Sequence, residues 1–327
     1  MRIIISPSPD AYFNIASEEY LLNKYPETEI FLLYINAPSI IVGKYQNTLS
    51  EINLDVVEAK GIKVVRRLTG GGAVYHDKGN LNFSFHAKNV EGEFMDFTKF
   101  TRPILDVLTQ NGVPAKLEGR NDLLVDGMKF SGNAKLVRKN KVIHHGTLLI
   151  DSEMQVLAEA LKVNPLKFVD KAIKSVRKRV TNLAPYLPAG SNTEDFRQWL
   201  ISQVQKEYPD AYIQDFSAEE TREIQALAES KYSTWDWNFG FSPDYNFSKA
   251  IKIPAGFIEV HLNVSNGLIQ DAKIFGDFFA QAPVEDLEAK LVGEKHETEH
   301  LKGLLDSLDL ALYFGKASSE ELLEAFK

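Results

Sequence analysis

The chain has 327 residues, 44% of them hydrophobic and 25% charged, with a formal net charge of −8 and no cysteine. That length favours one large and one small domain over a single core, and the acidic balance argues against a general nucleic-acid binder, whose affinity comes from basic neutralisation of phosphates. Without cysteine there can be no disulfide, no thiolate metal site and no thioester intermediate carried on the chain.

No apolar run approaches the roughly 18 residues of a membrane helix. The start, Met1-Arg2-Ile3-Ile4-Ile5-Ser6-Pro7, breaks too early for a signal peptide, so a cytoplasmic protein is expected. Ile3–Ile5 reads as a short strand and Asn14–Leu22 as a helix, with Phe13, Ala16, Tyr20 and Leu21 at helical spacing. Ile30–Tyr34 and Ile40–Val42 are buried-strand runs, and Asn53 caps a helix through Val57 that Gly61 closes. Asn80–His86 reads as a strand and Phe97–Gln110 as an amphipathic helix stopped by Gly112. Phe130–Val137 and Val142–Ile150 form an antiparallel pair across the polar turn Arg138-Lys139-Asn140-Lys141. Helical patterns return at Glu153–Leu161 and at Thr193–Lys206, where Asn192 is the cap. Beyond Trp235–Gly240, Gly256–Val264 and Leu268–Phe275 are strands joined by Asn266-Gly267, a type I′ hairpin signal. Helical segments near 284–291, 297–308 and 318–326 close the chain. The mixture of strands, helices and antiparallel hairpins predicts an α/β protein with mixed (α+β) sheets. The expected division is a catalytic unit over 1–240, a linker over 241–250 and a small unit over 251–327.

The most informative stretch is Arg66-Arg67-Leu68-Thr69-Gly70-Gly71-Gly72-Ala73-Val74-Tyr75-His76-Asp77, with Val64-Val65 before it and the strand of Leu81, Phe83 and Phe85 after it. Three glycines where two strands meet let the main chain take φ > 0 and let a ligand lie directly on the backbone. Successive N–H groups can then turn toward one anion, joined by two arginines. The alternative is a glycine-rich turn with solvated arginines. A second constellation is Gly119–Gly132, in which Lys129 stands among apolar residues and glycines as a point charge for an oxyanion or phosphate. Asn121 and Asp122 open its preceding strand and could bind magnesium or orient a nucleophile; the alternative is an exposed hairpin lysine beside a turn-forming pair. His144 and His145, adjacent in a strand, point to opposite faces, so at most one faces a given pocket. His296-Glu297-Thr298-Glu299-His300 fits the H-E-x-x-H zinc pattern, but its flanks read as a solvated helix start without a third ligand. Neither a P-loop nor a G-x-G-x-x-G fingerprint is present.

These residues, taken together, resemble the lipoate–protein ligase A family of bacterial ATP-dependent ligases. The similar stretches are Tyr12–Glu19, Val42–Asn47, Arg66–Asp77, Gly119–Gly132, His144–Leu148 and Ser175–Leu183, with Trp237–Gly240 and Gly276–Phe279 in the tail. The resemblance spans nearly the whole chain. It implies a catalytic domain like those of biotin ligases and class II aminoacyl-tRNA synthetases, followed by a small α/β accessory domain. It implies that lipoate and ATP, with Mg2+, give lipoyl-AMP and pyrophosphate, and that a lysine of an acceptor protein then takes the lipoyl group and releases AMP. The implied acceptors are lipoyl domains of 2-oxoacid dehydrogenase E2 subunits and the glycine cleavage H protein, served by a monomer that binds neither nucleic acid nor membrane. Lys129 matches the family lysine that touches the lipoyl carbonyl and the phosphate. Arg67, Gly71, Gly72, Ala73, Val74, Tyr75, His76, Asn80, Asn121 and Asp122 fall at nucleotide-binding positions, Asp122 also being the candidate metal ligand. Ile15, Ser17, Glu18, Tyr34, Arg66, His145, Gly146, Thr147 and Leu148 fall with Lys129 and His76 at lipoate-binding positions; some relatives carry tryptophan where this chain has Tyr34. The basic loop Lys171–Arg179 would close over the adenylate and exclude water, and Asp122 or a water would take the acceptor's proton. An ATP-independent lipoyl or octanoyl transferase is the nearest alternative activity, though such relatives typically use a cysteine. A non-catalytic lipoyl-AMP or acceptor-binding protein is the alternative of a different class.

Overall fold

The computed structural model describes residues 1–88, 96–118, 121–138, 140–161, 180–239 and 247–327. Gly119, Arg120, Lys139, Gly240 and the basic loop Lys171–Arg179, with its family-like Ser175–Arg179 stretch, lie outside the described residues. In chain order the first elements are β1 (Arg2–Ile5), α1 (Ala11–Lys24), β2 (Ile30–Tyr34), β3 (Ser39–Val42), α2 (Thr48–Glu51), α3 (Leu54–Ala59), β4 (Lys63–Arg66), β5 (Val74–His76) and β6 (Asn80–Lys88). There follow α4 (Thr98–Gln110), β7 (Lys116–Glu118), β8 (Asp122–Val125), β9 (Met128–Arg138), β10 (Lys141–Leu149), α5 (Met154–Ala160), α6 (Thr193–Glu207) and β11 (Tyr212–Ile213). The chain continues through α7 (Ala218–Leu227), α8 (Trp235–Asn238), β12 (Phe247–Ile253), β13 (Gly256–Ser265), β14 (Leu268–Gly276), α9 (Glu285–Leu291), α10 (Thr298–Asp306), α11 (Ala311–Phe314) and α12 (Ser319–Leu323).

Eight strands form one mixed sheet in the order β11-β1-β2-β6-β10-β9-β8-β7, in which β1 runs parallel to β2 and β11. The period of two along each strand divides its residues between two cores. Phe31, Leu33, Phe83 and Phe85 pack under α4 and α6 with Ile104, Leu108, Phe196 and Leu200. Ile30, Leu32 and Tyr34 turn to the other face, where α1 and α7 bring Ile15, Leu21 and Ile224. Asp10 caps α1 by accepting from the Tyr12 amide, and Asn192 and Asp195 form a capping box on α6. A second sheet, β4-β3-β5, rests on α3 and α5 through Ile40, Val42, Val64 and Leu157. The third, β12-β13-β14, carries the tail helices on a separate core that includes Val260, Ile274, Leu287 and Leu305. Its β13–β14 turn has φ of 52° at Asn266 and 73° at Gly267, as a type I′ turn requires.

Three features depart from the sequence reading. The glycine stretch does not join paired strands: β4 lies parallel to β3 on one side and β5 antiparallel on the other, so residues 67–73 cross over the end of β3. The strand expected next, β6, belongs to the large sheet. Residues 208–234 contain α7, which the sequence reading left out although Ser217 and Glu220 spell a capping box at its start. A buried Arg2–Glu220 ion pair of 2.7 Å ties that helix to β1 across more than two hundred residues of chain. Finally β12 begins at Phe247, inside the span expected to be linker, because it pairs with β13 from Phe247↔Leu262 onward.

Candidate active site

The glycine stretch and Lys129 open onto one cavity where β2, β9 and β10 of the large sheet meet the β4-β3-β5 sheet. Its walls include Ile15, Tyr34, Ile41, Val74 and Ala134 as apolar surface, and Arg67, His76, Asn82, Asn121, Lys129, Asn133, His145 and Thr147 as polar surface. Tyr34, Ile41, His76 and Asn82 are buried in its walls, whereas Gly72, Ala73, Asn121 and Lys129 are partly exposed. The Lys129 side chain is 33% exposed and its Nζ stands 2.7 Å from Asp122 Oδ1.

Each of the three glycines meets a different physical demand. A Cβ on Gly70 would stand 2.2 Å from the carbonyl oxygen of Phe278 in the tail, so this position tolerates no side chain. Gly71 has φ of +90°, a conformation that L side chains rarely adopt, and the Phe279 ring lies against it. Gly72 faces open space within the protein, which leaves its backbone bare for a ligand. The expectation that successive N–H groups here all turn to one anion needs correction, since the Gly71 amide donates to Phe278 O at 3.2 Å.

Arg67 is buried beneath this loop and organises it. Its Nη2 donates to the carbonyls of Gly70 (2.6 Å) and Gly72 (2.9 Å), its Nη1 to Ile41 O (3.1 Å) and its Nε to Thr69 Oγ1 (2.8 Å). Thr69 Oγ1 is also 2.7 Å from His145 Nε2, and His145 Nδ1 is 2.7 Å from Glu18 Oε2. Tyr34 donates its hydroxyl to Glu18 Oε1 at 3.0 Å. A carboxylate thus answers the guanidinium through an imidazole and a hydroxyl. Burial pushes the Glu18 carboxyl up, but the charge and hydrogen bond of His145 outweigh it and hold the group below the usual carboxylate range. Burial lowers Arg67 to about 10, against the opposing pull of Glu18, so it stays charged at neutral pH.

Arg66, expected to touch lipoate, does not face the cavity. It points away from the pocket and is fully buried, donating from Nη1 to the carbonyls of Gly43 (3.0 Å), Lys44 (2.9 Å) and Gln46 (2.7 Å). From Nη2 it reaches Thr48 Oγ1 (2.7 Å) and Asn238 O (3.1 Å), and from Nε Trp237 O (3.0 Å). It is a strut between the 43–48 loop and α8. Arg66→Met should therefore cost about 3–5 kcal/mol of stability, because it leaves buried carbonyls without donors. Denaturant unfolding checks this; a variant as stable as the parent that no longer takes up lipoate would return Arg66 to the pocket.

The remaining expected residues divide in the same way. Gly146 and Thr147 line the cavity beside His145. Leu148 does not, because strand alternation sends it into the core under α4 and α6. Ser17 turns back to donate to Asn14 O at 2.7 Å, and Glu18 stands behind Tyr34 and His145. The Tyr75 side chain joins the core of the small sheet, and Asn80 donates to Asn82 Oδ1 at 2.8 Å. Of the two adjacent histidines, His144 packs among Phe83, Phe97 and Phe100 and only His145 reaches the cavity. The H-E-x-x-H pattern does not form a metal site: α10 starts at Thr298, leaving His296 off the helix with its Nε2 on Phe326 O at 2.8 Å, while His300 pairs with Glu294. Among the described residues no group of three His, Asp or Glu side chains is placed to hold a metal ion. Sequence reasoning missed Ile41, Asn82, Gly132, Asn133 and Ala134, all of which line the cavity. The alternating polar row Asn80, Asn82, Ser84, His86 was the available signal for Asn82.

A family model described as the lipoyl protein ligase A/B catalytic domain matches residues 10–205, and one described as the bacterial lipoate protein ligase C-terminus matches residues 242–326. The chain is 45% identical over 317 residues to "Lipoate--protein ligase 1" of Staphylococcus aureus, covering 96% of both chains. Its fold matches that of P. falciparum LipL1, solved in complex with lipoate, with a TM-score of 0.82, 29% identity and coverage of 94% of this chain and 95% of that one. A lipoate-protein ligase A solved with bound ATP matches with a TM-score of 0.63 and 27% identity over 73% of this chain and 98% of that one.

Proposed function

The chain belongs to the lipoate–protein ligase family and is an enzyme that joins lipoate to protein at the expense of ATP; from that premise we propose how its own residues carry the two steps. The observation that carries the proposal is the meeting of the bare backbone at Gly72, the buried Arg67 and the cation of Lys129 around one slot whose walls include the apolar Ile15, Tyr34, Ile41, Val74 and Ala134.

In the first step a lipoate carboxylate oxygen attacks the α-phosphorus of ATP, the bond to the β-phosphate bridging oxygen breaks, and pyrophosphate leaves with the electron pair. Lipoate is already ionised at neutral pH, so no general base is needed. What the step needs is cancellation of charge between a carboxylate and a polyanion in a partly dry site. Lys129 supplies it at the point of bond formation, positioning the carboxylate and the α-phosphate together. Arg67 supports the glycine loop from below and adds a fixed positive charge. Ile15, Tyr34, Ile41 and Ala134 hold the acyl chain by burial of apolar surface. Asn121 and the backbone of 72–75 lie where the adenylate would rest.

In the second step the Nζ of an acceptor lysine, once deprotonated, attacks the acyl carbonyl carbon and AMP leaves with the C–O bonding pair. Such a lysine has an ordinary pKa near 10.4, so a proton must be removed; Asp122, or a water, serves. Asp122 is occupied by Lys129 at 2.7 Å, and among the described residues it belongs to no group of three His, Asp or Glu side chains placed to hold a metal ion. Magnesium would come with the nucleotide phosphates. Lipoyl domains of E2 subunits and the glycine cleavage H protein are the proposed acceptors, for a cytoplasmic monomer. No described helix is long and apolar enough to cross a membrane.

Pure protein incubated with ATP, magnesium, lipoate and a lipoyl domain should release one pyrophosphate per acceptor lipoylated, and the acceptor should gain one lipoyl group by intact mass. Pyrophosphate without acceptor modification would mark an adenylate-forming protein that does not transfer. Modification from an acyl carrier without ATP would mark a transferase.

A further inference from the structure

His76 lines the cavity and carries an unpartnered, buried polar atom. Its ring is 3% exposed, Nδ1 lies 3.0 Å from Asn36 Nδ2, and Nε2 has no hydrogen-bond partner among the described residues. Which ring nitrogen bears the proton follows from the bonds leading to it. The Ser8 carbonyl can only accept, so the Asn14 atom facing it at 2.7 Å is the amide nitrogen. That nitrogen also donates to Asn36 Oδ1 at 2.8 Å, while the Ser6 hydroxyl donates to Asn14 Oδ1 at 2.6 Å. Asn36 must then turn its NH2 toward His76. Nδ1 accepts, and the proton of the neutral ring stands on Nε2. Asn14 and Asn36 are both fully buried, so solvent does not scramble the chain. Burial, with the charges of Arg67 and His145 nearby, lowers His76 to about 3 and keeps the ring neutral at pH 7.

We infer that His76 is a specificity-determining residue, a fixed Nε2–H donor that hydrogen-bonds a dithiolane sulfur of lipoate and makes the slot favour it over a saturated acid of equal length. The inference rests on the lipoate-ligase reading: the carboxyl end is set beside the partly exposed Lys129, and the far end of the acid is taken to run toward the buried Tyr34, His76 and Asn82 that line the same cavity. Sulfur is a weak acceptor, so the gain from the bond itself is small. Discrimination comes from the other side: an aliphatic tail leaves the N–H unpaired in a dry site. Ser8, Asn14 and Asn36 act through His76 and are positioning residues.

The test uses the full chain and compares kcat/KM for lipoate- and octanoate-dependent pyrophosphate release. His76→Met should lower the lipoate-to-octanoate ratio about tenfold. His76→Gln, whose side-chain amide can present an N–H near the place of Nε2, should restore most of it. Nitrogen-15 NMR of the wild type should give a pyrrole-type shift on Nε2 and a pyridine-type shift on Nδ1, constant from about pH 6 to 8. Asn36→Leu should admit the other tautomer and lower the same ratio. A wild-type proton on Nδ1, or a His76→Met enzyme with the parental ratio, overturns the inference. Failure of the wild type to release pyrophosphate with either acid would overturn the ligase reading instead, and the tautomer measurement would still stand.

Discussion

Lys129→Ala should lower lipoate-dependent pyrophosphate release by about 10²–10³, roughly 3–4 kcal/mol of transition-state stabilisation, while leaving the thermal transition nearly where it was. The two halves of this expectation have separate grounds. Stability should barely change because Lys129 is a third exposed and pairs with an equally exposed Asp122, and such pairs contribute at most about 1 kcal/mol. Activity should collapse because Lys129 is the partly exposed cation that lines the cavity together with the bare backbone of Gly72. A carboxylate cannot otherwise approach the α-phosphate of a polyanion at low cost. The measurement is a coupled pyrophosphate assay beside a melting curve. Parental rates in the variant would remove Lys129 from the chemistry; a large fall in Tm would recast it as structural.

Gly70→Ala should cost about a hundredfold in adenylation, the scale expected when catalytic geometry is displaced by about 1 Å. The added methyl would stand 2.2 Å from Phe278 O, a backbone atom that cannot swing aside, so either the glycine loop or the tail must move. Several contacts resist that movement. The Gly71 amide donates to Phe278 O, Tyr45 stacks on Phe278 with ring centroids 5.0 Å apart, and Lys44 pairs with Glu285 at 2.9 Å. The tail therefore holds in shape a loop whose glycines would otherwise sample many conformations. Transfer from supplied lipoyl-AMP should suffer less, because the preformed anhydride no longer requires ATP and lipoate to be aligned. Supplying lipoyl-AMP to the variant separates the two steps. Equal loss of both would mean that the tail contact serves general folding rather than the glycine loop. Gly72→Ala provides the contrast, since its methyl meets open space inside the protein and any loss would report on the ligand.

Much of the architecture was legible because it is local. The Asn266-Gly267 turn, the Asn192 cap and the continuous apolar run of β2 each depend on residues within one element, whose backbone preference the side chains express directly. The glycine stretch stood out by composition and Lys129 only through the family resemblance, and the two line one cavity. What stayed hidden required knowing which surface covers which. Asn80, Asn82, Ser84 and His86 alternate as a solvent-facing row would, yet all four are buried, because β6 is central in the large sheet, and only Asn82 among them lines the cavity. Arg66 and Arg67 are adjacent and chemically identical, and nothing local says which one serves the pocket. The pairing of β3 with β4 through Val42↔Arg66 decides it, sending one guanidinium to α8 and the other beneath the glycines. The histidines of 296–300 matched a motif but lost it to a helix that begins two residues later.

By itself, then, the sequence determined the elements, the turns and the chemical class of the site, because these follow from backbone preference and side-chain type. Only the tertiary structure decided which charges are machinery and which are struts, which polar residues are buried, and that the tail presses on Gly70. Those outcomes depend on contacts between residues far apart in the chain, and a side chain's role is set by what it is packed against as much as by what it is.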